Sequence, residues 1–167
     1  MDKQRVNQWY DEYSQDIYQY ALYLLRHEEL AKDILQDTFL KAYKNIHQYK
    51  EENTKGWLFT IARNLCLDHI RKKHPINYMM DTVPHSSRTP EQSLHTSETV
   101  KELYAALGNL KRSYREVIIL RKIKEFSVTE TAMILNWNEA KVRTTLSRAI
   151  QALKKRLEME GYEHETL

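Results

Sequence analysis

Residues 127–156 have the sequence SVTETAMILNWNEAKVRTTLSRAIQALKKR, which predicts a short helix, a tight turn and a longer basic helix. The turn falls at Asn136-Trp137-Asn138, and asparagine is the residue that best replaces glycine where a turn requires a positive φ. Ala132 places a small side chain in the first helix, where a second helix can cross closely. This order of elements is typical of a helix-turn-helix that binds DNA.

The second helix of this motif has two different faces. At about 100° per residue, an apolar stripe is formed by Val142, Leu146, Ala149, Ile150, Leu153 and Leu157. The opposite face presents side chains that can meet phosphates and base edges, namely Lys141, Thr144, Ser147, Arg148, Gln151 and Lys155. The alternative interpretation is an ordinary helical hairpin whose charged face is solvated.

Composition favours an all-α protein with one localised basic surface. The chain has 167 residues but only three glycines and three prolines, which argues against a turn-rich β architecture. The formal net charge is +3, yet residues 139–156 contain six basic residues and one acid, whereas the C-terminal tail is acidic. This uneven charge indicates a local anion-binding surface rather than a histone-like binder.

The sequence also excludes several classes of protein. Its single cysteine, Cys66, excludes an intramolecular disulfide and a cysteine-rich zinc site. Because Cys66 lies in an apolar helical run, we expect a buried structural thiol rather than a redox sensor. No apolar run reaches the roughly 20 residues that a bilayer span needs, and the N-terminus lacks the apolar core of a signal peptide. We therefore expect a cytoplasmic protein without direct membrane insertion.

Helical periodicity divides the chain into two small domains. Three helices are predicted at residues 6–26, 28–49 and 54–73, within a first domain of residues 1–75. Residues 76–97 lose the periodicity and contain two prolines and four serines, so we expect a flexible linker. A second domain, residues 98–160, is predicted from helices at 98–107 and 113–124 and the helix-turn-helix, and residues 161–167 form an acidic tail.

The second predicted helix contains the segment LAKDILQDTFLKAY at residues 30–43. Its outward side carries Asp33, Gln36 and Asp37, with the aromatic Phe39 close to this polar side. Phe39 is either a core residue at the edge of the apolar stripe or the anchor of a protein-docking face.

The third predicted helix combines aromatic and basic residues with an asparagine. Asn64 lies in mid-helix, where asparagine has a poor propensity, and it brings both donors and an acceptor. An amide among Trp57, Lys55 and Arg63 could bind an unstacked base, as in proteins that hold single-stranded nucleic acid. Trp57 is alternatively a plain core residue.

Three segments, taken in order, resemble the motifs of one protein family. Residues 30–43 resemble the A-x-D-x-x-Q-x-x-F segment of region 2.2 in the extracytoplasmic-function sigma factors, which form group 4 of the sigma-70 family and are specificity subunits of bacterial RNA polymerase. The segment W-L-x-x-I-A-x-N-x-x-x-D-x-x-R of regions 2.3 and 2.4 is matched by Trp57, Leu58, Ile61, Ala62, Asn64, Asp68 and Arg71. The helix-turn-helix is similar to region 4.2.

The resemblance implies a binding site for each segment. The region 2.2 helix of the family binds a clamp coiled coil in the largest subunit of core polymerase, and this assigns polymerase binding to Asp33, Gln36, Asp37 and Phe39. The third helix and its leading loop melt the −10 element and capture a flipped base, and the matching residues are Tyr49, Lys55, Trp57, Arg63, Asn64, Arg71, Lys72 and Lys73. The recognition helix enters the major groove of the −35 element, with Lys141, Arg143, Thr144, Ser147 and Arg148 as candidate contacts.

The partners implied by the resemblance are core RNA polymerase, through its clamp coiled coil and its flap, and promoter DNA. The family also implies an anti-sigma factor, commonly a membrane protein that holds both domains. No cofactor, metal or catalytic residue is implied.

Three other functions are compatible with an all-helical chain. A free-standing helix-turn-helix repressor or activator would need a dimer interface for paired half-sites, and the N-terminal half shows no heptad run. An all-helical enzyme is disfavoured because the seven histidines are scattered, without an HExxH motif or a phosphate-binding loop. An adaptor that binds only proteins would be indifferent to promoter DNA.

Overall fold

The N-terminal half of the chain forms three long helices around a shared apolar core. A computed structural model describes residues 1–84 and 98–159, and all regular structure in these ranges is helical. The first helices are α1 (Asp2–Leu25), α2 (Glu28–Lys44) and α3 (Thr54–Lys73). These elements confirm the three predicted helices, except that α2 ends at Lys44 and a 3-10 turn, Ile46–Gln48, follows it.

Local signals set the ends of these helices. Arg26 ends α1 in a left-handed conformation with φ of 54°. Nδ1 of His27 then accepts a hydrogen bond from the N–H of Leu30 at 3.1 Å and caps α2. The side-chain oxygen of Asn53 caps α3 by accepting from the N–H of Gly56 at 2.9 Å. The two side-chain caps satisfy donors for which the helices have no internal partner.

The first core is built from side chains that repeat at helical spacing. Its fully buried members include Ile17, Tyr20, Leu24, Ala31, Leu58, Phe59, Ala62, Cys66 and Ile70. The predicted burial of Cys66 is confirmed, and burial raises the pKa of its thiol. Because the thiolate is the reactive form of cysteine, Cys66 is a structural residue.

The segment that follows α3 is more ordered than the predicted flexible linker, at least in its first part. Proline at the first position starts a helical turn, α4 (Pro75–Met79). Asp81 then accepts two hydrogen bonds from Ser113, through the backbone N–H at 3.1 Å and the hydroxyl at 2.5 Å. Residues 76–84 are therefore fixed against the next domain by local hydrogen bonds that composition does not reveal. The rest of the predicted linker, residues 85–97, lies outside the described ranges, as does the predicted acidic tail, residues 161–167.

Within residues 98–159, four further α-helices are formed. They are α5 (Glu98–Leu107), α6 (Arg112–Ile118), α7 (Val128–Leu135) and α8 (Glu139–Met159). The predicted helix at 113–124 is only partly α-helical, because Ile119–Ile123 forms a π-helical turn at its end. In that turn the N–H of Lys124 bonds to the carbonyl of Ile119, five residues earlier, at 2.8 Å.

The helix-turn-helix forms as predicted. Ser127 and Glu130 make a reciprocal capping box at the start of α7. Asn136 ends α7 with φ of 58°, the left-handed conformation that the sequence predicted for the turn. The apolar stripe of α8 faces inward, with Val142, Ala149 and Leu153 fully buried. No helix in the described ranges is both long enough and apolar enough to cross a bilayer.

The two halves of the chain pack directly against each other. Side chains from the second half extend the first core, namely Tyr104, Ile119, Leu120, Phe126, Ile134 and Leu135. The hydroxyl of Tyr104 donates to the carbonyl of Leu22 at 3.1 Å, and Arg115 donates to that of Leu24 at 2.9 Å. Both acceptors lie in the last turn of α1, where the carbonyl of Leu22 also accepts from the N–H of Arg26 at 2.8 Å. Nothing in the sequence predicted this arrangement.

The turn at Asn136 offers a test of the helix-turn-helix. We expect Asn136→Ala to lower the free energy of unfolding by about 1 kcal/mol, because alanine lacks the short polar side chain whose local hydrogen bonding lets asparagine adopt the left-handed region. Asn136→Gly is the matched control and should retain the stability of the natural chain, since Asn136 is exposed and glycine adopts this conformation freely. Denaturant unfolding of the three proteins measures the difference, and equal destabilisation by both substitutions would contradict the argument.

Candidate nucleic-acid and protein interfaces

The outer face of α8 gathers all five predicted −35 contacts on one exposed surface. Lys141, Arg143, Thr144, Ser147 and Arg148 are each exposed, and they lie opposite the buried stripe of the same helix. An α-helix with its polar side free in this way can enter the major groove of B-DNA.

The first turn of α8 is held in place by its own sequence. The side-chain oxygen of Asn138 accepts from the N–H of Lys141 at 2.7 Å and fixes the start of the helix. The ammonium of Lys141 lies 4.4 Å from the centre of the Trp137 ring. Arg143 is only loosely paired with Glu139, at 3.4 Å between two exposed side chains. Such a surface pair is weak, so a phosphate or a base edge can displace it.

The predicted −10 residues on α3 and in the loop before it fall into an exposed group and a group that packs against other parts of the protein. The exposed group consists of Asn64, Arg71, Lys72 and Lys73. Asn64 projects from the middle of the helix. The three basic side chains lie in its last turn, where positive charge interacts favourably with the helix dipole. Arg71 also donates to Asp68 at 2.6 Å, within its own helix.

Tyr49 and Trp57 belong to an aromatic cluster that the sequence did not predict. Their ring centres are 4.9 Å apart, and those of Trp9 lie 5.0 Å from Tyr49 and 5.8 Å from Trp57. Arg5 covers the rings of Trp9 and Tyr49 at 5.4 Å. The cluster joins the N-terminal helix to the loop before α3. Arg5 and Trp9 were missed because their partners lie about 40 to 50 residues away, beyond the reach of any local pattern.

Arg63 faces the second half of the chain. Its Nε donates to Oε1 of Glu116 at 3.0 Å. The Glu116 side chain is buried with 2% exposure, and that of Arg63 is partly buried with 14% exposure. The hydroxyl of Tyr20 also lies 3.5 Å from Oε1 of Glu116. Burial raises the pKa of Glu116, while the charge of Arg63 acts in the opposite direction and favours the carboxylate.

Lys55 and the loop before it are likewise held by charged contacts. Asp16 on α1 lies 3.6 Å from the ammonium of Lys55 and 2.9 Å from that of Lys124. Burial alone would raise the pKa of Asp16, but the hydrogen bond and charge of Lys124 and the charge of Lys55 lower it overall. Asn53 donates to Glu130 at 2.9 Å.

The predicted polymerase-binding residues of α2 are not equivalent in the structure. Asp33, Gln36 and Asp37 are exposed, whereas Phe39 is buried with 6% exposure and makes an edge contact with Tyr10 at 5.0 Å. Of the two interpretations that the sequence left open for Phe39, the structure supports a core position.

Exposed apolar side chains beside Phe39 were missed by the sequence reasoning. Leu40 and Tyr43 are 54% and 49% exposed, and Tyr10 on α1 is 44% exposed. They border an apolar groove of about 460 Å³ between α1 and α2, which is lined by Lys3, Val6, Asn7, Tyr10, Gln36, Phe39, Leu40 and Tyr43. The signal was present in the sequence, since Gln36, Leu40 and Tyr43 have the i, i+4, i+7 spacing of one helix face.

Comparisons with known proteins place both halves of the chain in one family. The family model for sigma-70 region 2 matches residues 9–75, and that for sigma-70 region 4 matches residues 101–153. The first match contains α2 and α3, and the second contains the helix-turn-helix.

Related proteins of known function cover nearly the whole chain. The ECF RNA polymerase sigma factor SigX of Bacillus subtilis is 34% identical over 159 residues, which span 90% of this chain and 82% of SigX. SigM of the same organism is 34% identical over 151 residues, spanning 89% of this chain and 93% of SigM.

Solved structures show the same architecture. The sigma factor RpoE of Bartonella quintana, in complex with the anti-sigma factor NepR, superimposes with a TM-score of 0.75 at 26% identity, over 91% of this chain and 96% of that one. CnrH, solved with the cytosolic domain of CnrY, shares the fold with a TM-score of 0.70 at 22% identity, over 94% of this chain and 90% of CnrH. This chain therefore belongs to the ECF sigma factors of RNA polymerase.

Proposed function

We propose a division of labour within this sigma factor. Residues 1–75 bind core polymerase and the −10 element, residues 76–97 connect the domains, residues 98–160 bind the −35 element, and residues 161–167 form an acidic tail. The observation that best supports this proposal is the outer face of α8, where five exposed side chains that can bind DNA lie opposite a buried apolar stripe.

Recognition of the −35 element is assigned to the exposed face of α8. Arginine can bind a guanine edge with two hydrogen bonds, and each such contact contributes about 1–3 kcal/mol of discrimination. Lys141, Thr144, Ser147 and Arg148 supply further base or phosphate contacts from the same face. If the domain makes about five phosphate contacts, its affinity falls with salt with a log–log slope of about −4 to −5.

Opening of the −10 element is assigned to α3 and its leading loop. Asn64 offers donors and an acceptor to a base that has left the stack. Lys72 and Lys73, with Arg71, give the end of the helix a basic surface along which a strand backbone can run. Lys55, Arg63, Tyr49 and Trp57 complete the proposed −10 surface.

Binding of core polymerase is assigned to the exposed side of α2 and the adjoining groove. Asp33, Gln36 and Asp37 supply polar contacts, and Leu40 and Tyr43 supply exposed apolar area. Apolar anchors surrounded by polar residues are the usual composition of a protein interface. Phe39 is buried and lines the groove, so it supports this surface through packing rather than through an exposed contact.

Control by an anti-sigma factor is inferred from a relative. The RpoE structure from Bartonella quintana contains an anti-sigma factor, and it covers 91% of this chain. We infer that this chain acts in the cytoplasm, where core polymerase and the chromosome meet. We also infer that it supplies positioning and strand capture, without chemistry of its own.

Run-off transcription tests the proposal as a whole. Purified core RNA polymerase, this chain and fragmented genomic DNA should give discrete transcripts that share upstream elements. The absence of both transcripts and stable association with core enzyme would overturn the proposal. It would favour a free-standing DNA-binding regulator.

The −35 assignment predicts the effect of Arg143→Ala. We expect promoter output to fall roughly tenfold, from the loss of about 1–3 kcal/mol of base contact, while binding to core polymerase persists. The matched control is Lys122→Ala, which removes an exposed basic side chain from the same half of the chain but outside α8. Run-off output and a core-binding assay measure the two effects, and unchanged output from Arg143→Ala would reject the contact.

The −10 assignment predicts a defect in strand opening for Asn64→Ala. We expect normal closed-complex formation but weak permanganate reactivity of thymines in the bubble, because the flipped base loses its hydrogen-bonding partner. Gln4→Ala removes an equally exposed amide from α1 and should leave opening intact. A normal bubble with Asn64→Ala would contradict the assignment.

The docking assignment predicts weaker polymerase binding for Leu40→Ala. Loss of a buried leucine contact should raise the Kd for core enzyme by roughly one order of magnitude, at about 25 cal/mol per Å² of apolar area. Met79→Ala, which truncates an exposed apolar residue outside α2, is the control. The thermal stability of both variants should match that of the natural chain. An unchanged Kd for Leu40→Ala would remove this residue from the interface.

A further inference from the structure

A polar cleft lies where the segment after α3 meets α6 and the N-terminal half of α8. Its volume is about 540 Å³, which is within the range of pockets that hold small molecules. Five basic and two acidic side chains line it, so the cleft carries a net charge of +3, as much as the whole chain. Charge of one sign in a concave site concentrates the electric field and attracts ions of the opposite sign.

Both acidic side chains of the cleft are already paired within the protein. Glu116 accepts a hydrogen bond from Nε of Arg63 at 3.0 Å. Asp81 accepts from the backbone N–H and the hydroxyl of Ser113, and it lies 3.6 Å from the guanidinium of Arg112. These contacts use two of the five basic side chains, and three remain.

The three remaining basic side chains have no carboxylate partner in the part of the chain that the structure describes. They are Lys111, just before α6, and Lys141 and Arg148 on α8, and all three are exposed. The ammonium of Lys111 lies 5.2 Å from the centre of the Tyr114 ring, and that of Lys141 lies 4.4 Å from the centre of the Trp137 ring. A cation–π contact of this kind positions a positive charge without neutralising it.

One face of α8 forms a wall of the cleft. Lys141, Thr145 and Arg148 all line it, and they have the i, i+4, i+7 spacing that places side chains on the same side of an α-helix. Thr145 adds a hydroxyl that can donate or accept a hydrogen bond. With Lys111 on another element, the unpaired cations border the same space from two separate parts of the fold.

Several linked phosphates match this arrangement better than a single small anion does. Lysine and arginine are the side chains with which proteins bind phosphate oxygens. A chain of phosphates can contact cations on two elements at once, whereas one sulfate or carboxylate offers a single charged group. Inorganic oligophosphates and the phosphate chains of nucleotides share this chemistry.

We propose that the cleft binds an oligophosphate, with Lys111, Lys141 and Arg148 as its phosphate contacts. The bound anion links the start of α6 to α8. Lys141 and Arg148 are also candidate −35 contacts, so an anion in the cleft competes with −35 DNA for these two side chains. The competition rests on the proposed function, but the anion site itself does not.

Calorimetric titration of the full-length chain with inorganic tripolyphosphate tests the site at constant ionic strength. We expect saturable binding of one anion per chain, with a Kd at least about tenfold lower than that of sulfate, because linked phosphates engage several cations together. Titrations with ATP and GTP distinguish the sources of the phosphate chain. A Kd equal to that of tripolyphosphate supports recognition of the phosphates alone, and a lower Kd supports a nucleotide ligand. Absence of saturable tripolyphosphate binding, or binding no tighter than that of sulfate, would overturn the proposal.

Lys111→Ala tests the cleft without touching a candidate −35 contact. The side chain of Lys111 is exposed and makes no capping hydrogen bond to α6, so its removal should leave the fold intact. We expect the Kd for tripolyphosphate to rise about three- to tenfold through the loss of one charge-assisted contact. Lys111→Arg keeps the charge and should retain most of the affinity. The matched control, Lys122→Ala, removes an exposed lysine outside the cleft and should leave the Kd unchanged. An equal Kd for Lys111→Ala and the natural chain would overturn the proposal.

A DNA-binding assay tests the competition separately. The probe is duplex DNA that contains the −35 element of a promoter recovered in the run-off experiment. Tripolyphosphate should weaken duplex binding less in Lys111→Ala than in Lys122→Ala, because general screening by the anion is the same in both. Equal weakening would overturn the competition. Failure of the sigma-factor assignment would appear instead as an absence of transcripts with tripolyphosphate binding intact, so the two failures are distinguishable.

Discussion

The buried pair between Arg63 and Glu116 is the interaction on which the arrangement of this protein depends. It joins α3 of the first domain to α6 of the second, and the hydroxyl of Tyr20 lies beside it. Removing one partner from such a pair costs about 3–5 kcal/mol, because the other charge is left buried. Replacing both partners by apolar groups can be neutral, so the presence of the pair is not by itself evidence of added stability.

The packing between the domains also satisfies groups that neither domain satisfies alone. Arg115 is buried and donates to the carbonyls of Leu24, Gly108 and Leu110. Burial, reinforced by the charge of Arg26, lowers the pKa of Arg115 to about 10, so it remains a cation at neutral pH. Through these carbonyls one side chain links the end of α1 to the turn between α5 and α6. The same interface thus combines apolar contact, backbone satisfaction and ion pairing.

A sigma factor needs weak DNA-binding modules that become effective together. A net charge of +3 on 167 residues gives little non-specific affinity for DNA, and α8 and the last turn of α3 each carry a local group of basic residues. Tethering two such modules on one polymerase raises their effective concentration and makes modest affinities sufficient. The exposed apolar groove between α1 and α2, which is proposed to bind polymerase, lies on a different surface from the basic residues that are proposed to bind DNA.

The helices, the helix-turn-helix and the family could all be predicted from the amino-acid sequence, because these depend on residues close together in the chain. Asn136 at the turn and the buried stripe of α8 follow from local propensity and from a period of 3.6 residues. The exposed apolar residue Leu40 was within reach of the same spacing but was not predicted. The burial of Phe39, the fixed position of residues 76–84 and the contact of Arg63 with Glu116 follow instead from how the helices pack together. These outcomes depend on groups that are distant in sequence, as with the 53 residues between Arg63 and Glu116, and a local pattern contains no information about which of several acids a given arginine will meet.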